Sequence, residues 1–164
     1  MDSIDKVNNL RKSDFISIFG NVFEKNQWIA EKAYDSKPYK NFEELFSKMM
    51  EIFENSKKEK HIEILNAHPD LTIEKKLTED SKNEQKNASL NQCNDAEFIE
   101  FKKLNEEYKK KFGFPFIIAV KGKNKEEILN SFRQRITNNI NSEFEKAKKQ
   151  VKKIASFRLS EIIK

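Results

Sequence analysis

Apolar residues recur along this chain three or four positions apart, a spacing that predicts helices nearly throughout. The clearest stretch is Phe42, Leu45, Phe46, Met49, Ile52 and Phe53, one side of an amphipathic helix. Ahead of it, Asn41 and Glu44 have the spacing of a capping box, in which two side chains take up backbone N–H groups left unbonded at a helix start. The same spacing recurs at Ser81 and Glu84, Asn94 and Glu97, Asn124 and Glu127, and Ser142 and Glu145. These pairs predict four helices. One runs from Ser81 through Leu90. The second carries Phe98, Phe101, Leu104, Asn105 and Tyr108 and ends near Gly113. The third carries Ile128, Leu129, Phe132 and Ile136. The last carries Phe144, Ala147, Val151, Ile154, Ala155, Phe157 and Leu159. Ser13 is the expected cap of a helix through Phe15 and Phe19, and Trp28, Ile29 and Ala33 mark a short one. His61 to Leu65 continue helical until Pro69, because the residue before a proline avoids helical geometry. Thr72 to Asp80 reads as a loop or a weak helix. One run breaks the period: Phe114 to Val120 is β-like, an extended stretch passing through the core.

These elements predict an all-α fold, a single-domain bundle of about seven or eight helices over residues 1–164. Composition agrees. Three Gly and three Pro are few for a turn-rich sheet protein, and 14 Phe are many for a disordered chain. The net charge of +5 raises nucleic acid as a partner. The basic residues, however, are nearly all Lys interleaved with 27 acidic residues, the pattern of solvated helix faces rather than a phosphate track. One cysteine, Cys93, excludes an internal disulfide. No apolar stretch approaches the ~20 residues of a membrane helix. Met1 to Asp5 lack the features of a signal peptide, and Glu161 to Lys164 form no peroxisomal address, so the cytoplasm is the expected compartment.

Candidate chemistry gathers where scarce residues meet chain breaks. Asn66-Ala67-His68-Pro69-Asp70-Leu71 holds one of two histidines, Ser81-Lys82-Asn83-Glu84-Gln85 opens a helix, and Phe112-Gly113-Phe114-Pro115-Phe116-Ile117-Ile118 holds a glycine and a proline in the most apolar run. Taken alone, His68 is a helix-end cap or an acid/base group, Glu84 is a capping residue, and Arg158 is an Arg whose charge reaches out to water. His61, in a Lys/Glu-rich stretch, reads as a surface residue. A metal site is not expected: His61 and His68 lack i, i+4 spacing and one Cys builds no cluster.

In this order the segments resemble one family, the 2-oxo-4-hydroxy-4-carboxy-5-ureidoimidazoline (OHCU) decarboxylases of the route from uric acid to allantoin. The resemblance rests on His68-Pro69-Asp70-Leu71 and on Ser81-x-x-Glu84-Gln85. It rests also on Phe101-x-x-x-Asn105-x-x-Tyr108-x-x-x-Phe112-Gly113-Phe114-Pro115-Phe116, and on a tail of Arg135, Asn138, Glu145, Ala147, Val151 and Ile154-Ala155-x-x-Arg158-Leu159. It runs from about Phe15 to Leu159. The chain departs from the family pattern in a short connection from His68 to Ser81, in Thr72 where a small residue is more typical after Leu71, and in Ser89 in place of a common glycine.

The resemblance implies a catalytic set of His68, Glu84 and Arg158. It also implies a substrate pocket built from Pro69, Ser81, Lys82, Asn83, Glu84, Gln85, Arg158 and the run Phe116, Ile117, Ile118, Ala119 and Val120. Gln85 both donates and accepts, which suits a ureido group, and Arg158 suits a carboxylate or carbonyl. Arg135 holds the fold or the pocket wall. The implied reaction needs no cofactor, because a ring C=N beside the reacting carbon accepts the electrons that CO2 leaves behind. The implied assembly is a homodimer acting on a small molecule, with no nucleic acid or membrane partner. Two other readings stand beside this one: a non-enzymatic helical binding module, and a lyase acting on a related heterocycle.

Overall fold

The computed structural model describes residues 2–71, 78–88 and 90–164. In order these form α1 (Ile4–Asn8), α2 (Lys12–Phe19), α3 (Trp28–Asp35), α4 (Phe42–Glu54), α5 (Lys58–Ala67) and α6 (Glu79–Asn87). A 3-10 turn follows (Leu90–Gln92), then α7 (Asp95–Phe112), α8 (Lys125–Arg135) and α9 (Ile140–Ile162). The fold is all-α, with no strand among the described residues. The helix beyond the expected number is α1, whose five residues are too short to show an apolar period. Of the expectations for Thr72 to Asp80 and for Ser89, positions 72–77 and 89 lie outside the described residues.

Two capping boxes form in full. Asn94 Oδ1 accepts from the Glu97 N–H (2.8 Å), and Glu97 accepts from the Asn94 N–H (3.0 Å). Asn124 and Glu127 do the same for α8. At α4, Asn41 caps Glu44 as expected, but the Glu44 carboxylate reaches one residue further, to the Lys40 N–H (2.6 Å). Three serines predicted as caps are not caps. Ser13 lies inside α2, which starts at Lys12 behind Arg11. Ser81 and Ser142 each stand three residues behind the true cap and donate their N–H to it, Ser81 to Thr78 Oγ1 (3.2 Å) and Ser142 to Asn139 Oδ1 (2.8 Å). In both places an earlier residue of capping type was available one turn upstream.

The chain divides into two compact units, Met1–Ala67 with Lys152–Lys164, and His68–Val151. The first packs Phe15, Phe19, Phe23, Ile29, Leu45, Met49, Phe53 and Ile64 out of water. His61 belongs to this core and is not a surface residue. The residue is 6% exposed, and its ring lies 4.9 Å from the Phe53 ring and shares a 2.6 Å hydrogen bond with the Phe53 carbonyl. That carbonyl stands at the end of α4, where helix carbonyls lack intrahelical partners.

The second unit is built around Tyr108, whose ring meets those of Phe112, Phe114, Phe116 and Phe132 at 4.5–6.0 Å. Gly113 ends α7 in the left-handed conformation (φ 82°), which a residue with a Cβ adopts only under strain. It turns the chain into the run Phe114 to Val120, buried along its whole length. This run forms no strand, since no second strand lies among the described residues to pair with it.

Candidate active site

His68 follows directly on α5, and Pro69 prevents the helix from continuing. His68 is 7% exposed, and Asp70 and Leu71 after it are buried as well. Side chains from two helices of the same unit hold this segment. Gln85 Nε2 of α6 donates to the Asp70 carbonyl (3.4 Å), and Asn105 Nδ2 of α7 donates to the Leu71 carbonyl (3.0 Å). Lys109 Nζ of α7 donates to the Asp70 carboxylate (2.6 Å).

Helical period sorts the five residues Ser81 to Gln85. Ser81 and Gln85, four apart, are buried on one face; Glu84 is half-buried; Lys82 and Asn83 face solvent. The structure therefore brings the His68 segment and the inner face of α6 together, through Gln85 and Asp70.

The run from Phe116 to Val120 has its polar backbone partly engaged. Arg135 Nη1 donates to the Ile117 carbonyl (2.7 Å), and the Ala119 N–H donates to Gln150 Oε1 (2.9 Å). The Val120 carbonyl accepts from the Lys123 N–H (3.0 Å). The Phe116 ring stacks on Phe132 at 3.9 Å and carries the Arg135 guanidinium 4.5 Å from its centre. Arg135 is anchored in turn. Its Nε donates to Glu143 Oε1 (3.0 Å), which also accepts from the Tyr108 hydroxyl (2.6 Å), while Asn138 donates to Glu143 Oε2 (2.9 Å). Glu143 is completely buried. Burial, and then the hydrogen bond to this carboxylate, push the Tyr108 phenol far above its ordinary range.

Arg158 belongs to the other unit. It is buried, with Nη1 donating to the Asn21 carbonyl (2.7 Å) and Nη2 to the Glu24 carboxylate (2.7 Å). The guanidinium is thus held in a buried ion pair rather than carried out to water. Among the described residues no three His, Cys, Asp or Glu side chains gather as a metal site.

The inward polar residues Asn105, Glu143 and Glu24, and the exposed Lys109, were not singled out as functional from the sequence. For Asn105 and Glu143 a signal was present. Asn105 shares the apolar face with Phe101 and Tyr108, and Glu143 lies one turn before Ala147; a polar residue on such a face must find a partner inside.

The OHCU decarboxylase family model matches residues 8–160. The chain is 41% identical to a uric acid degradation bifunctional protein of Bacillus sp. strain TB-90, a match that covers all of this chain and 33% of that protein. It is 36% identical to the 2-oxo-4-hydroxy-4-carboxy-5-ureidoimidazoline decarboxylase of Haloferax volcanii, over 97% of this chain and 95% of that protein. The chain therefore spans about a third of the bifunctional protein and nearly all of the Haloferax one. Among solved structures, that of an (S)-allantoin synthase superposes with a TM-score of 0.81 at 27% identity, covering all of this chain and 54% of its own. A match that takes in His68-Pro69-Asp70-Leu71, the inner face of α6, the buried run behind Gly113 and the tail with Arg158 leaves one conclusion: the chain belongs to the OHCU decarboxylase family.

Proposed function

We infer that this chain decarboxylates 2-oxo-4-hydroxy-4-carboxy-5-ureidoimidazoline to (S)-allantoin in the breakdown of urate, with His68 as its acid/base group. The observation that carries the reading is a buried His68 at a helix end, on a segment whose Asp70 carbonyl accepts from Gln85 of α6, within the matched region. The substrate's name states its chemistry: hydroxyl and carboxylate on one ring carbon, a ureido group on the next. When the bond to CO2 breaks, its electron pair moves into the ring toward the neighbouring C=N, whose nitrogen takes up a proton. The hydroxyl then gives up its proton as C=O forms, and the ureido-bearing carbon gains one. An imidazole titrates near neutral pH and is suited to both proton transfers. Delivery to one face gives one hand of allantoin.

In this reading Glu84 and Gln85 orient the ureido and ring N–H groups, and Arg158 binds the carboxylate or a carbonyl. Pro69, Ser81 and the backbone of Phe116 to Val120 complete the pocket. Lys82 and Asn83, exposed on α6, belong to this reading through the family resemblance alone. With the Ile117 carbonyl and the Ala119 N–H engaged by Arg135 and Gln150, the Ile118 N–H and C=O are the pair proposed to read the heterocycle. Residues 1–164 act as one domain, since the matched region spans both compact units. The protein works as a cytoplasmic homodimer on a small-molecule substrate.

The test makes the unstable substrate in place, from urate with a urate oxidase and a hydroxyisourate hydrolase, and follows the circular dichroism of the product. Rapid appearance of the (S)-allantoin signal, lost in His68→Asn with helicity intact, is expected. Only slow formation of racemic product by the parent protein refutes the reaction. Undiminished turnover in His68→Asn refutes the role of His68.

A further inference from the structure

We propose that Asn105 and Lys109 of α7 are positioning residues for His68. The proposal rests on the reading of His68 as the acid/base group. Chain geometry gives it substance. Pro69 has a fixed φ, so the imidazole's place depends on α5 before it and, across this stiff link, on how the next two residues are held. Asp70 and Leu71 are gripped there by side chains four apart on one face of α7, Lys109 on the Asp70 carboxylate and Asn105 on the Leu71 carbonyl. The helix that carries them is itself fixed at both ends, by the Asn94–Glu97 capping box and by the Gly113 turn.

Asn105 is the more telling of the two. It is 3% exposed, and its Oδ1 accepts no hydrogen bond among the described residues. A buried acceptor left unbonded costs free energy that an apolar residue of similar size avoids. What Asn offers in return is its N–H donor, spent on the Leu71 carbonyl; Asp of the same shape has none. Lys109 settles a second question. Asp70 stands two residues from His68, where it resembles a carboxylate partner for the imidazole, but its carboxylate is paired with Lys109 instead. Asp70 therefore acts as an anchor for the loop.

Proton transfer depends steeply on placement, and a shift of about 1 Å lowers a rate by about 100-fold. Asn105→Leu and Asn105→Asp are expected to lower kcat by about 10- to 100-fold with KM within about threefold of the parent value. Lys109→Met is expected to lower kcat less, and Lys109→Arg to restore it. A spectroscopic readout separates positioning from general damage. The chain has two histidines, so its imidazole NMR spectrum contains two rings. In Asn105→Leu the His68 resonances shift or broaden, while those of His61, bonded to Phe53, stay in place. Parent-like kcat with an unmoved His68 ring in folded Asn105→Leu overturns the proposal. If that variant does not fold, Lys109→Met, at a partly exposed site, decides by the same two readouts. His68→Asn is measured alongside. If it retains turnover, the acid/base reading fails, and the ring spectrum still decides whether α7 places the imidazole. If it is inactive while the α7 variants match the parent in both readouts, positioning alone fails.

Discussion

At the scale of single residues, burial says less about a polar group than its bonds do. His61 and His68 are equally hidden, yet His61 is tied to the Phe53 carbonyl under an aromatic ring, whereas His68 sits on a segment that two other helices hold. Tyr39 shows how burial sets a titration. Its hydroxyl donates to the Ala33 carbonyl (2.5 Å), and burial pushes its phenol from 10.0 up to about 12. A raised pKa means that the folded chain keeps this proton after the unfolded chain has lost it. The associated stability is present below pH 10.0 and is lost as pH rises from there toward about 12. In a titration followed by tyrosinate absorbance, the parent is expected to show a step near pH 12 that Tyr39→Phe lacks. A Tyr39 step at the ordinary pH of 10.0 refutes this environment.

At the scale of elements, helix ends matter more to the site than helix middles. α5 ends at Pro69 and presents His68; α7 ends at Gly113 and presents the buried run. A Cβ at Gly113 meets nothing within 4 Å, so the cost of Gly113→Ala is one of backbone conformation alone. That cost is about 1–2 kcal/mol, measurable as a lowered urea midpoint at unchanged slope. A midpoint equal to the parent's means that the left-handed turn is not needed. The capping signals were legible in the sequence where the cap and the residue it bonds lie within one turn, as at Asn94 and Asn124. They misled at Ser81 and Ser142, where Thr78 and Asn139 lay upstream and start the helix earlier. Sequence alone does not rank two acceptable caps in one stretch, because the choice depends on which start lets the helix bury its apolar face. The earlier start at Thr78 buries Ser81 with Gln85 and turns Lys82 and Asn83 outward.

At the scale of the whole molecule, α9 contributes one member of a buried Arg–Glu pair to each compact unit: Glu143 meets Arg135 in one, and Arg158 meets Glu24 in the other. Glu143 also receives Tyr108 and Asn138, so one carboxylate joins α7, α8 and α9, and through Arg135 it secures the Ile117 carbonyl. Removing it leaves a guanidinium buried without its counter-charge, at a cost of about 3–5 kcal/mol. Glu143→Ala is expected to unfold at much lower urea than the parent. A loss below about 1 kcal/mol means that the pair contributes no more than an exposed one. Many of the remaining ion pairs are short-range, such as Lys48 with Glu51 and Lys60 with Glu63, each half-exposed or more on at least one side. Such pairs contribute little singly, which agrees with reading the +5 chain as solvated helix faces.

The sequence by itself determined the all-α class, the approximate extent of eight helices, the stop at Pro69, the turn at Gly113 and the family to which the ordered motifs belong. Helical period, proline geometry and left-handed glycine act within a turn or two of chain, so they are written locally. Only the tertiary structure decided that His61 goes inside, that Asp70 pairs with Lys109 39 positions away, that Asn105 holds the Leu71 carbonyl, and that Arg158 is buried against Glu24. A polar side chain is buried when a partner offsets the loss of water, and such partners arrive from distant parts of the chain by packing.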